Sequence, residues 1–144
     1  MFIEENLKNI VENLFQNKQK TIDDALGIEY EYISKQKMVA KMPVTDSTRQ
    51  PFGLLHGGAS VVLAESLCSF GAWLNINPET SAAVGMEINA NHIRAVKSGF
   101  VTGTAKPIHK GATSQVWGFE IHTETGKLVC TGRCTMAVIQ KKSS

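Results

Sequence analysis

Apolar and polar positions along this chain repeat with two different periods. Leu7, Ile10, Val11, Leu14 and Phe15 recur at helical spacing, which predicts an amphipathic helix over residues 4–19. Thr21 followed by Asp24 fits a capping box with Asp in place of the usual Glu, opening a short turn that stops at Gly27. "IEYEYIS" and "KMVAKMPV" then alternate with period two across a short polar stretch, the pattern of a β-hairpin. "TDSTRQP" reads as a loop. From Gly57 to Leu74 apolar residues occupy every face, which predicts a helix surrounded by other structure and closed by "NINPET". Four strand-like runs follow, about 81–97, 99–109, 113–124 and 127–139, separated by turn signals at "KSG", "KGA" and "ETGK". The order predicts an α+β fold: an antiparallel sheet wrapped around one long central helix, with a further helix at the N-terminus. No repeat, linker or low-complexity stretch interrupts it, so one domain over 1–144 is expected.

Composition narrows the partners. A chain of 144 residues buries roughly two-thirds of its unfolded surface in one domain. Its net charge of +2, with no basic cluster interleaved with aromatics, points to no nucleic-acid partner. Cys68, Cys130 and Cys134 make an odd count without zinc spacing, so free thiols in a reducing cytoplasm are expected. Cys130 and Cys134, four apart in a strand, should share one face. "MFIEENLKNIVENLFQ" is charged and amphipathic rather than a signal peptide, and no apolar run approaches the roughly 20 residues of a membrane span. A soluble cytoplasmic protein without membrane association is the expectation.

Several chemistries drop out. There is no G-x-G-x-x-G and no Walker A motif. "GASVV" begins like a nucleophile elbow but has Val62 where the second glycine is needed, so Ser60 reads as a helix-interior serine. Metal ligands are sparse, and neither a metal nor another cofactor is expected. What remains is "LHGG" at a helix start, with Glu65 two turns further in. The first turn of a helix leaves N–H groups unpaired and favours negative charge, and Gly57 and Gly58 have no side chain to block an approaching carbonyl. Such a terminus can hold a developing oxyanion, with His56 adding a hydrogen bond or orienting the loop. Glu65 and Ser69 are four apart, so Ser69 could aim the carboxylate, which in a dry setting is a better base or nucleophile. Plainer readings stand beside these: the glycines as a tight helix entry, Glu65 as a paired structural ion, His92 as an ordinary strand histidine, and His109, Lys110 and Gly111 as a solvated turn.

"QPFGLLHGGASVVLAES", "VGMEINANHIR" and "KPIHKGATSQVWGFEI" together strongly resemble the hotdog-fold acyl-CoA thioesterases. The likeness is greatest to the branch that contains aryl-CoA and dihydroxynaphthoyl-CoA thioesterases, and phenylacetate-pathway thioesterases resemble it more distantly. It runs from about residue 21 to 139 and leaves the N-terminal helix outside. The resemblance implies a homodimer whose sheets pair, in a homotetramer assembled as a dimer of dimers, with active sites shared between subunits. It implies that the N–H of Gly57 polarises the thioester carbonyl, with Gln50 and His56 beside it. Glu65 of the other subunit, supported by Ser69, would attack the carbonyl or activate a water. It also places coenzyme A, as part of the substrate, near Gly85, along His92, Ile93, Arg94 and Ala95, and at His109, Lys110, Gly111, Ala112, Thr113 and Ser114. Arg94, Lys106 and Lys110 could meet phosphates, and Gly111 would let backbone approach closely. Lys110 before Gly111 and "ATS" after it depart from the family pattern. The implied activity is hydrolysis of an acyl- or aroyl-CoA thioester, dihydroxynaphthoyl-CoA among the candidates. A non-catalytic acyl-CoA-binding domain and a hotdog dehydratase are the alternatives. Phe52, Leu55, Phe70 and Trp73 are candidates for the acyl pocket.

Overall fold

The computed structural model describes residues 1–142. Its elements are β1 (Phe2–Ile3), a 3-10 turn (Glu5–Leu7), α1 (Lys8–Asn17), α2 (Ile22–Leu26), β2 (Glu29–Ile33) and β3 (Met38–Pro43). The long helix α3 (Gly57–Trp73) follows, then β4 (Ser81–His92), β5 (Phe100–Lys110), β6 (Ser114–Thr123) and β7 (Leu128–Gln140). The strands form one seven-stranded sheet in the order β1-β2-β3-β5-β6-β7-β4, antiparallel throughout except for the β1–β2 pair.

Local chemistry explains most boundaries. The capping box at the head of α2 is complete: the Thr21 N–H donates to Asp24 Oδ2 at 2.8 Å, and the Thr21 side chain accepts from the N3 amide. Gly27 ends that helix in the left-handed conformation (φ 73°), where a side chain would be strained. Three differences from expectation stand out. The helix expected over 4–19 begins with a 3-10 turn, and Phe2 and Ile3 ahead of it pair parallel with Tyr32 and Ile33. The strand expected over 81–97 stops at His92, because the next two amides both turn to the carbonyl of Val129 (Ile93 at 2.7 Å, Arg94 at 3.3 Å).

The third difference concerns α3. Its Leu63, Ala64, Leu67, Cys68, Gly71 and Ala72 are buried against the sheet, whereas Val62, Glu65, Ser66, Ser69, Phe70 and Trp73 are only half-buried. One sheet covers one side of a helix, so the chain alone does not surround it. The covered side is closely packed. Trp117 lies across Gly71, and the Trp117 indole N–H donates to Gln115 Oε1 at 2.9 Å. Gln115 in turn donates to the Ala72 carbonyl at 3.2 Å, so this buried polar pair is satisfied. Cys130 and Cys134 share the inner face of β7, and all three cysteines are free and buried. Cys68 is pushed well above the usual thiol range, first by its hydrogen bond with Cys134 and then by burial, so it stays protonated and unreactive.

Strand β4 closes one edge of the sheet. It pairs with β7 on one side and with no other strand among the described residues, leaving Val84 and Met86 exposed along it. No helix of the described residues is long and apolar enough to cross a membrane.

Candidate active site

The loop before α3 sets up the helix head. His56 is the N-cap, in extended conformation (φ −68°, ψ 131°), and its Nδ1 accepts the Gly58 N–H at 2.7 Å. The N–H groups of Ala59 and Ser60 reach the His56 carbonyl at 3.0 and 3.3 Å. The N–H of Gly57 donates to nothing among the described residues. The sequence placed His56 beside the carbonyl or as an orienter of the loop; here its ring caps the helix.

Gly57 is also tightly backed. A Cβ built there would stand 2.9 Å from His92 Nε2, so only glycine fits without moving that ring. Gln50, Gly57, His92, Ile93, Arg94 and Ala95 line one cavity of about 370 Å3 at the helix head. Gln50 is held by its own loop: its Oε1 accepts from the Phe52 and Leu54 N–H groups, and its NH2 makes no hydrogen bond among the described residues. Arg94 forms no ion pair among the described residues. The head of α3 thus offers a free amide, a free carboxamide and a guanidinium around one space, a setting for an oxyanion and an anionic arm.

Glu65 lies two turns further along. It lines a separate cleft with Ile22, Val62, Ser66 and Ser69, half-buried rather than enclosed. Its carboxylate makes no ion pair and no hydrogen bond among the described residues, which removes the reading of a paired structural ion within the chain. Gly85 on β4 stands directly against it. The expected contact from Ser69 to Glu65 is not formed. The Ser69 hydroxyl is directed instead at Met136 Sδ, 3.8 Å away on β7, which takes its only side-chain hydrogen bond among the described residues.

Helix geometry separates the two halves. Gly57 and Glu65 are eight residues apart in α3, about 12 Å along the axis at 1.5 Å per residue. A carbonyl held by the one is therefore out of reach of the other in the same chain. The segments expected to meet coenzyme A are also divided. His92–Ala95 sit at the head of α3, whereas the 109–114 turn lies near its tail, where Lys110 Nζ donates to Asn75 Oδ1 at 3.2 Å. In that turn the Gly111 N–H donates to the Ser114 carbonyl at 2.8 Å and the Thr113 carbonyl accepts from Val138 at 2.9 Å, with Ala112 and Thr113 exposed at the tip and the His109 ring packed over Gly111. Lys106 projects from the face of β5 opposite buried Ala105, into a different groove beside Ile108 and Glu120.

Sequence reasoning missed one feature. Phe15, Tyr30, Phe70 and Trp73 line a largely apolar open cleft of about 640 Å3 between α1 and the outer face of α3. Asp23 lies on its wall, taking hydrogen bonds from the Ser66 hydroxyl at 2.6 Å and the Tyr30 hydroxyl at 3.2 Å. Nothing in the local pattern marks Asp23 beyond an acid in a first helical turn, since Ser66 is 43 positions away. Of the expected pocket residues, Phe70 and Trp73 line this cleft, Leu55 lines the Gly57 cavity, and Phe52 is 87 % exposed. No cluster of three His, Cys, Asp or Glu suited to a metal occurs among the described residues.

Known proteins resemble this chain in sequence and fold. Residues 52–130 match the family described as the thioesterase superfamily, a span that includes Gly57, Glu65 and Gly85. The chain is 50% identical over 114 residues to the 1,4-dihydroxy-2-naphthoyl-CoA hydrolase of Escherichia coli, covering 79% of this chain and 83% of that one. It is 47% identical over 121 residues to the enzyme of the same name in Listeria monocytogenes, covering 84% and 98%. A thioesterase crystal structure from Pseudomonas aeruginosa superposes with a TM-score of 0.85 at 45% identity, covering 90% of this chain and 94% of that one. The chain belongs to the thioesterase superfamily and is a hotdog-fold thioester hydrolase.

Proposed function

We propose that the protein hydrolyses an acyl- or aroyl-CoA thioester to the free acid and CoA, in a site completed by two copies of the chain. One observation carries this reading. A single helix presents one unpaired amide at Gly57 and one unpaired carboxylate at Glu65, too far apart to act on the same carbonyl. A second copy brings its Glu65 to the first copy's Gly57. The free outer edge of β4, with Gly85 against Glu65 and exposed Val84 and Met86, is where two sheets can join and cover both carboxylates.

In that site the thioester oxygen accepts from the Gly57 N–H and the Gln50 NH2, which stabilise the charge that develops on it. Glu65 of the second copy takes a proton from water as the water oxygen bonds to the carbonyl carbon. The C–S bond then breaks, and the departing CoA thiolate takes up the proton. Direct attack by Glu65, through a mixed anhydride that water then opens, uses the same groups. Heavy oxygen found in the peptide carrying Glu65 after a single turnover in heavy-oxygen water identifies the anhydride route, since only a mixed anhydride opened at the Glu65 carbonyl puts it there. The free guanidinium of Arg94 supports binding of the CoA arm along His92–Ala95, with Gly85 and the 109–114 turn from the other copy. The named activity of the Escherichia coli and Listeria relatives supports an aroyl-CoA substrate, dihydroxynaphthoyl-CoA included.

The test is release of thiol from benzoyl-CoA. Glu65→Ala should lower the rate by about a hundredfold or more while circular dichroism and dimer mass stay unchanged. Nearly full activity in Glu65→Ala overturns the assignment.

A further inference from the structure

Just past the tail of α3, Asn75 ties three parts of the chain together. Its NH2 group donates to the Gly71 carbonyl at 2.8 Å and to the Lys35 carbonyl at 3.0 Å. Both N–H donors of the amide are thereby taken, so the group cannot turn over, and Oδ1 faces away from those carbonyls. That oxygen accepts from Lys110 Nζ at 3.2 Å. The anchor at Lys35 is itself secured from the other side, where Glu4 Oε2 accepts the Lys35 N–H at 2.9 Å. An ammonium beside the C-terminal end of a helix also gains from the partial negative charge there.

Lys110 keeps its charge to spend elsewhere. It is exposed and forms no ion pair among the described residues. The bond to Asn75 uses one of the ammonium's N–H donors and leaves the others pointing to solvent or ligand. It is the one lysine or arginine between His109 and Ser114, and it is where this turn departs from the family pattern. A free lysine loses rotamer freedom when an anion fixes it, which weakens the contact. A neutral acceptor that already holds the amine removes part of that cost, whereas a carboxylate in the same place would cancel the charge.

We infer that Asn75 is a positioning residue of this hydrolase: it holds the Lys110 ammonium, charged and with donors free, for a phosphate at the nucleotide end of CoA. The inference rests on the proposed placing of the CoA arm against the 109–114 turn. The thioester lies at the opposite end of that arm, so the pair acts on substrate binding and not on the bond that breaks.

The experiment measures kcat and KM of the full chain for benzoyl-CoA, benzoyl-dephospho-CoA and benzoyl-pantetheine, the last of which has no phosphate. Lys110→Met should raise KM for benzoyl-CoA about fivefold, leaving its kcat and all constants for benzoyl-pantetheine unmoved. Asn75→Leu should raise the same KM about threefold, and should add nothing in a chain that already carries Lys110→Met. Asn75→Ser gives the same comparison should the leucine variant not fold. A Lys110→Met effect that persists with benzoyl-dephospho-CoA assigns the contact to the diphosphate, and one that vanishes assigns it to the 3′-phosphate. An unchanged KM in Lys110→Met, or Asn75 and Lys110 effects that multiply, overturns the inference. So does an Asn75→Leu loss that is equal for benzoyl-CoA and benzoyl-pantetheine, which is what a purely structural role produces. Hydrolysis of none of the three esters overturns the CoA-thioester reading, and this inference with it.

Discussion

Gly85 of the edge strand stands so close to Glu65 that a Cβ built on it would lie 2.6 Å from Oε1. The carboxylate therefore occupies the space a side chain would need, and β4 changes register beside it, between Gly85 and Glu87. Glycine here fixes where the acid sits.

Gly85→Ala tests that placement. The atom in the way ends a flexible side chain, so the fold should accommodate the methyl by turning the carboxylate aside. We expect thioester hydrolysis to fall by about tenfold to a hundredfold, as misplacing a reacting group by an ångström does, with the thermal midpoint unchanged. Unchanged kcat would show that this position of Glu65 is not the working one.

Gly71→Ala should do the opposite. Its Cβ would come within 2.5 Å of Trp117, a side chain with no exposed surface whose indole is pinned by Gln115. Overpacking of this kind costs about 1–3 kcal/mol, read as a lower urea midpoint. A midpoint equal to the wild type would mean that the ring can move.

Much of this architecture is written in short-range patterns. The period-two runs mark the strands, and Thr21 with Asp24 marks a helix start through a bond between neighbours. Gly57 and Glu65 draw attention because an acid in an apolar helix is out of place. What the pattern hides depends on distant partners. The two-residue β1 exists only because Tyr32 and Ile33 offer it an edge, and it is too short to show a period. The strand ends at His92 because Val129, far along the chain, draws the next amides away. Ser69 shares a helix face with Glu65, but spacing could not tell that Met136 would be its neighbour. An apolar surface all round α3 predicts a helix surrounded by other structure without saying what surrounds it; the sheet covers one side and leaves the other half-buried.

The clasp between α1 and α2 has a defined acid limit. Asp24 titrates below the ordinary carboxylate range, chiefly through its hydrogen bond from Lys18 and next through the Thr21 amide. A depressed folded value means that the contact stabilises the fold above the ordinary Asp value of about 3.9, and that this is lost as pH falls through the folded value. A carbon-detected NMR titration of Asp24 should place its midpoint below about 3.9, and Lys18→Met should raise it toward that value, the Thr21 amide still holding it somewhat down. A midpoint at or above that value in the wild type would mean that the clasp is open in solution.

The shared site is tested most directly by mixing two inactive chains. Glu65→Gln removes the acid alone. Gly57→Pro removes the N–H and, through its added Cβ, displaces the His92 ring that stands 2.9 Å from that position, so it disables the helix head of its own copy and leaves Glu65 two turns away in place. Proline itself suits the first position of a helix, and His56 before it is already extended. Each variant by itself should be nearly inactive. Random pairing makes half the dimers mixed, each with one intact site of two, so equal mixing after refolding should restore about a quarter of wild-type activity. Activity that stays at the level of the two separate variants would contradict a site built from Gly57 of one copy and Glu65 of the other.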